Sequence, residues 1–107
     1  MGRFRITEWT QPAGGAAVTA GAWFEVVLQL KDKRRKGGRC AVSLSVSPAV
    51  CTVEPRTASV TIPPGRDPAP LTVKVKLTGP PGTDCTLTAE AAGSRARRAV
   101  MLKAPSL

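Results

Sequence analysis

The chain has 107 residues, which is enough for one domain with a thin hydrophobic core but leaves little room for a deep catalytic cleft. It contains no histidine and no tyrosine, so the usual neutral-pH general base, the commonest zinc ligand and any Ser–His or Cys–His pair are missing. The seven carboxylates are scattered, and the formal net charge of +9 favours either solubility or attraction to an acidic partner. We therefore predict a protein that is not an enzyme and holds no cofactor or metal.

The first predicted elements are two strands joined by a connector. Residues 3–9 alternate, with Phe4 and Ile6 on one side. Stretch 10–16 is rich in Pro, Gly and Ala and predicts a connector. Segment 22–31 alternates again, and its apolar face consists of Phe24, Val26, Leu28 and Leu30, while Trp23 is out of phase with that face.

A basic loop follows at residues 31–39. Its candidate contacts to an anion or a partner are Lys31, Lys33, Arg34, Arg35, Lys36 and Arg39. One interpretation is a solvated hairpin loop that its like charges keep exposed. The other is an anion-contacting loop, in which Gly37 and Gly38 give the backbone freedom and attraction to phosphate is independent of sequence.

Short strands dominate the remainder of the chain. Residues 40–47 alternate cleanly, and further strands are predicted at 51–53, around Val60 and Ile62, and at 71–77, 85–91 and 95–103. Pro or Gly ends most of them, and no segment has a convincing helical period. Seven to nine strands at roughly ten-residue spacing predict an all-β, immunoglobulin-like antiparallel β-sandwich spanning residues 1–107 as one domain.

The three cysteines are all in phase with inward-facing apolar residues. Cys40, Cys51 and Cys85 are therefore predicted to be buried thiols that behave as small hydrophobic side chains. A Cys40–Cys85 or Cys51–Cys85 bridge is the alternative in an oxidising compartment. Catalytic thiol chemistry is not expected, because no histidine is present to activate a cysteine.

Two further features are candidates for surface contacts. Trp9 lies outside the clean alternation and is either an exposed interface anchor or a lid over one end of the sandwich. Arg95 and Arg97 fall on one face of the last strand, next to Arg98 in sequence. They would lie beside Lys74 and Lys76 if the two strands share a sheet, where long basic side chains oppose edge-to-edge aggregation.

Two segments carry a resemblance to a known family. Residues 18–28 read VTAGAWFEVVL, and residues 59–65 read SVTIPPG, followed by the strand 71–77 and the turn and strand 81–89. Together these resemble the bacterial Ig-like domains of cell-surface proteins and phage virion proteins, of the type that lacks the disulfide between the sheets. The resemblance covers about two-thirds of the chain and implies a fold rather than an activity.

The function predicted from these features is a non-catalytic structural or protein-binding module that packs onto or spaces a larger assembly. A virion decoration or cement protein and an accessory domain of a surface protein are the two settings. The alternative is an anion-binding module that contacts nucleic acid or acidic polysaccharide through residues 31–39. The sequence shows no transmembrane span and no signal peptide, so a cytosolic or virion-associated location is expected unless the chain is an excised domain of a secreted protein.

Overall fold

Nine strands are present in the computed structural model, which describes residues 4–33, 36–65 and 69–105. In chain order they are β1 (Phe4–Gln11), β2 (Ala16–Thr19), β3 (Trp23–Asp32), β4 (Gly38–Ser47), β5 (Thr52–Glu54), β6 (Thr57–Ile62), β7 (Ala69–Thr78), β8 (Asp84–Ala91) and β9 (Ser94–Lys103). Most are bounded by the Pro and Gly residues that the sequence places between its apolar runs.

The strands form two packed sheets. The four-stranded sheet has the order β1-β3-β7-β5, and the five-stranded sheet has the order β2-β9-β8-β4-β6. Neighbours are antiparallel except β2 and β9, which run parallel from Ala16 opposite Val100 to Thr19 opposite Lys103. The predicted all-β sandwich is therefore confirmed.

The core fills the space between the sheets with alternate residues of each long strand. In β3, Val26, Leu28 and Leu30 are fully buried, whereas Phe24 at the start of the strand is half-buried. The other fully buried Leu and Ile side chains are Ile62, Leu77, Leu87 and Leu102. Each such side chain contributes about 1.5–3 kcal/mol relative to its exposed state, so aliphatic packing stabilises this fold without large aromatic groups.

Strand β1 departs from simple alternation at two bulges. Its register with β3 shifts between Ile6 and Glu8, and again between Trp9 and Gln11. Each shift inserts one extra residue, which turns the following side chains to the opposite face. Ile6 and Trp9, three residues apart, consequently both face the core, and Trp9 is only 6% exposed. The interpretation of Trp9 as an exposed anchor is therefore wrong.

The connector and the basic loop are both shorter than predicted. Strand β1 continues through Gln11 and β2 begins at Ala16, so the connector of 10–16 is reduced to 12–15. Lys31 and Asp32 belong to β3, and Arg39 belongs to β4. Lys33, Lys36 and Gly37 lie between the two strands, and Arg34 and Arg35 lie outside the described residues. The strands extend further than composition suggests, because Lys31 and Arg39 occupy outward positions and the inward Asp32 is hydrogen-bonded to Gly37.

Candidate functional site: a basic end of the sandwich

Exposed cations gather at one end of the sandwich. At this end β1 and β4 begin and β3 and β8 finish, since Phe4 is opposite Asp32, Gly38 is opposite Ile62 and Ala91 is opposite Ser94. We call it the basic end. Its exposed cationic side chains in the described residues are Arg5, Lys31, Lys33, Lys36, Arg39 and Arg95.

The described residues at the β4 side of the turn between β3 and β4 are fixed to the sandwich. The buried Asp32 accepts a hydrogen bond from the backbone N–H of Gly37, at 2.8 Å between Oδ2 and N. Gly37 has a φ of 74°, and a Cβ there would lie 2.6 Å from the carbonyl oxygen of Ile62 and 2.7 Å from the nitrogen of Pro64. Only glycine fits this conformation and this space, so the return of the chain from Lys36 into β4 is held in one place.

Two arginines of the basic end have positions set by neighbours on the five-stranded sheet. Arg39 donates from Nε and Nη2 to the hydroxyl of Ser59, at 3.3 and 3.2 Å. Arg95 pairs with Glu90 across the β8–β9 hairpin, at 2.8 Å between Nη2 and Oε2. The serine orients Arg39 without neutralising it, so the guanidinium keeps both its charge and further N–H donors.

Most other cations of this end have no counter-charge in the described part of the chain. No acidic side chain there pairs with Arg5, Lys33 or Lys36. At the opposite end two lysines have acidic neighbours, because Lys74 is opposite Glu25 in the strand register and Lys76 pairs with Glu54 at 3.8 Å. The two ends therefore differ in electrostatic potential, and the positive potential of the basic end attracts acidic groups.

The three arginines of β9 do not share one face of the strand. Arg98 is inward-facing and half-buried, and its Nη2 donates to the carbonyl oxygen of Trp9 at 2.7 Å. Lys74 and Lys76 are in β7 of the four-stranded sheet, whereas Arg95 and Arg97 are in the five-stranded sheet. The condition for these lysines and arginines to be neighbours, a shared sheet, is therefore not met.

The exposed tryptophan of this protein is Trp23, which sequence analysis did not select as an anchor. Trp23 is 55% exposed on the outer face of the four-stranded sheet. The ammonium of Lys76 lies 5.2 Å from the centroid of its ring, within range of a cation–π interaction. The sequence could have indicated this exposure, because Trp23 occupies an odd position of β3 and the buried side chains occupy the even ones.

The three cysteines are free and buried between the sheets. The Sγ atoms of Cys51 and Cys85 are 3.3 Å apart, whereas Cys40 lies elsewhere in β4, where its thiol donates to the carbonyl of Ala41 at 3.9 Å. Burial, followed by the hydrogen bond to Cys51, raises the pKa of Cys85 to about 12. Burial and then the charge of Asp32 raise the pKa of Cys40. Raised pKa values keep both thiols protonated near neutral pH and oppose nucleophilic chemistry.

Two other kinds of site have no support in the structure. In residues 4–33, 36–65 and 69–105, no three Cys, Asp or Glu side chains come together as metal ligands. Nor does that part of the chain form a helix with the length and apolarity needed to cross a membrane.

Comparisons with known proteins identify the fold. No protein-family model matches the chain, and no curated protein sequence matches it significantly. Among solved structures, domains 4 and 5 of the S-layer protein SbsC are similar, with a TM-score of 0.57 and 14% identity over 94% of this chain. This chain spans 53% of that S-layer chain. The apo form of the Calx CBD1 domain is similar with a TM-score of 0.58 and 12% identity, over 96% of this chain and 98% of that domain. The chain thus has the β-sandwich fold of these domains.

Proposed function

We propose that this protein is a non-catalytic structural or protein-binding module, which packs onto or spaces a larger assembly by docking its basic end against an acidic protein surface. The observation that carries the proposal is the segregation of charge. In the described residues, Arg5, Lys33 and Lys36 lie at one end without an acidic partner, where Asp32 and Gly37 hold the backbone and Ser59 orients Arg39. A backbone already held in place loses less conformational entropy on binding, which favours a specific docking contact.

A protein partner is favoured over single-stranded nucleic acid because the basic end lacks a stacking surface. Single-strand binding combines cations with exposed aromatic rings. Here Phe4 and Trp9 are buried, Phe24 is half-buried, and the exposed Trp23 lies at the opposite end. The absence of histidine and the raised pKa of Cys85 support a role without catalysis.

Two settings fit this role. The motifs shared with bacterial Ig-like domains support either an accessory domain of a surface protein or a virion decoration protein. The similarity to domains of an S-layer protein supports the first setting at the level of fold. In both settings the sandwich acts as a rigid unit whose end contacts a neighbouring subunit.

Binding to defined polyanions tests the docking surface. Poly-L-glutamate serves as an acidic protein surface and random-sequence double-stranded DNA as a nucleic acid, at about 0.15 M ionic strength. We expect the variant Lys33→Gln/Lys36→Gln to bind polyglutamate roughly 5- to 10-fold more weakly. The matched control Lys74→Gln/Lys103→Gln removes the same charge from the opposite end and should change binding less than twofold.

Three outcomes would count against the proposal. Equal losses in the two variants would show that net charge, rather than the basic end, determines binding. Persistence of binding after neutralising Lys33, Arg34, Arg35 and Lys36 together would exclude the loop. DNA bound more tightly than polyglutamate, and released by the same substitutions, would identify the alternative, an anion-binding module for nucleic acid or acidic polysaccharide.

A further inference from the structure

One pair of thiols lies between the sheets at the edge of the sandwich. Cys51 immediately precedes β5, the edge strand of the four-stranded sheet, and Cys85 lies in β8 of the five-stranded sheet. Their Sγ atoms are 3.3 Å apart, and closing this distance to the disulfide length of about 2.05 Å requires a small rotation of the side chains.

The surroundings of Cys51 confine its sulfur to this position. A Cβ on Gly79 would lie 2.7 Å from Sγ of Cys51, so the backbone of Gly79 packs directly against the thiol. The turn before β5 is closed by a hydrogen bond from the N–H of Cys51 to the carbonyl of Pro48, at 3.0 Å. The two thiols are therefore held together, which favours a reaction between them over a reaction with a second protein molecule.

A groove connects this pair to the surface. The groove holds about 350 Å³, and Cys51, Val46, Ala49 and Arg56 are among the residues that line it. Cys51 is 5% exposed, whereas Cys85 behind it is 1% exposed. A small reagent thus meets Cys51 first, in a groove that Arg56 also lines.

We propose that Cys51 and Cys85 form a redox-active dithiol, which small anionic disulfides such as oxidised glutathione convert to a disulfide linking the two sheets. The thiolate of Cys51 attacks one sulfur of the reagent, forms a mixed disulfide and releases the first small thiol. Cys85 stays protonated near neutral pH, so it gives up its proton as its sulfur, held beside Cys51, attacks Sγ of Cys51 and releases the second small thiol. Two protein thiols are oxidised, one small disulfide is reduced to two thiols, and the two protons leave with those thiols.

The bond would act on the weakest part of the four-stranded sheet. Strand β5 is held to β7 by only the pairs from Thr52 opposite Thr78 to Glu54 opposite Lys76. A Cys51–Cys85 disulfide attaches this short strand to the other sheet. It also closes a loop between positions 34 residues apart, which restricts the unfolded chain. The inference goes beyond the proposed function and does not depend on the partner.

Equilibration of the purified chain with oxidised glutathione, followed by alkylation and peptide mapping, tests the proposal. We expect a 51–85 disulfide within the monomer, a Cys40 thiol that becomes alkylated only after unfolding, and a Tm higher by roughly 10 °C or more. Dithiothreitol should reverse the change. The Cys40→Ala variant should behave like the wild type, and Cys51→Ser should show no redox-dependent Tm.

The role of the groove has its own comparison. Arg56→Gln should slow oxidation by oxidised glutathione several-fold but should not slow, and is expected to speed, oxidation by the cationic disulfide cystamine, because the positive charge that repels it is removed. Equal slowing with both reagents would contradict the part assigned to Arg56.

The wild-type chain alone can overturn the proposal, whether or not the cysteine variants fold. A disulfide that includes Cys40, a product that is only an intermolecular dimer, or equal Tm values for the oxidised and reduced protein would each refute it.

Discussion

The two tryptophans show how a single inserted residue decides which side chain is buried. Trp23 follows the alternation of β3 and is exposed, as its phase indicates. Trp9 follows a bulge in β1, so it is buried although simple alternation from Ile6 would place it on the outer face. A bulge depends on how two strands fit together, so the local sequence of β1 cannot specify it. The sequence therefore indicated the orientation of Trp23 but not that of Trp9.

Fluorescence of single-tryptophan variants checks these two positions. Trp23→Phe leaves the buried Trp9, and we expect blue-shifted emission that acrylamide quenches weakly. Trp9→Phe leaves the exposed Trp23, and its emission should be red-shifted and strongly quenched. Trp9→Ala should lower the free energy of unfolding by about 3–5 kcal/mol, because it leaves a large cavity. Similar quenching in both phenylalanine variants would contradict the structure.

The raised pKa of Cys85 predicts how stability depends on alkaline pH. Above its ordinary value of 9.0 an unfolded Cys85 loses its proton, whereas the folded thiol keeps it up to about pH 12. Unfolding then releases a proton, so the stability that Cys85 contributes falls as pH rises through this range. The Tm difference between the reduced wild type and Cys85→Ser should therefore shrink from about pH 9 towards about pH 12. A constant difference would show that the pKa is not raised.

At the scale of elements, the sequence predicted strands well and their ends poorly. The inward phases of β3, β4, β7 and β8 follow from alternation, because a sandwich core tolerates only apolar side chains on that face. The limits of the basic loop did not follow, since ladder pairing carries Asp32 and Arg39 into strands despite their charge.

Two glycines with similar backbone conformations test the anchoring of that loop. Gly37 and Gly15 have φ values of 74° and 78°, but only a Cβ at Gly37 would meet other atoms within 4 Å. Gly15→Ala should lower the free energy of unfolding by about 1–2 kcal/mol, owing to the left-handed conformation alone. Gly37→Ala should lower it by a further 1–3 kcal/mol or so, because of the clash with the Ile62 carbonyl. Urea denaturation measures both, and equal losses would show that the loop is not held against β6.

For the whole molecule, the order of the strands in the two sheets determines which charged residues lie close together. The sequence revealed a basic protein, but it could not show that β7 and β9 are in different sheets, because pairing between distant segments leaves no local pattern. Only the folded arrangement brings Arg5, Lys36 and Arg95, which are far apart in the chain, to the same end.

The basic end should reduce stability in the absence of a partner. Its exposed cations repel one another, and salt screens that repulsion. We expect Lys33→Gln/Lys36→Gln to raise Tm by a few degrees in dilute buffer and by almost nothing at about 1 M salt. Lys74→Gln/Lys103→Gln should not raise Tm, because Lys74 is opposite Glu25 and Lys103 is remote from the basic end. A rise of the same size in both variants would argue against local repulsion.

The parallel pairing of β2 with β9 has a mechanical consequence. The described chain enters at Phe4 at the basic end and leaves beyond Lys103 at the other, along a particle 47 Å in its longest dimension. Tension applied at Phe4 and at Lys103 pulls β1 and β9 in opposite directions along the strand axes, so β9 is drawn lengthwise past β2. The hydrogen bonds between β2 and β9 then bear the load side by side and must break together, rather than one after another. A sandwich connected in this way should resist extension.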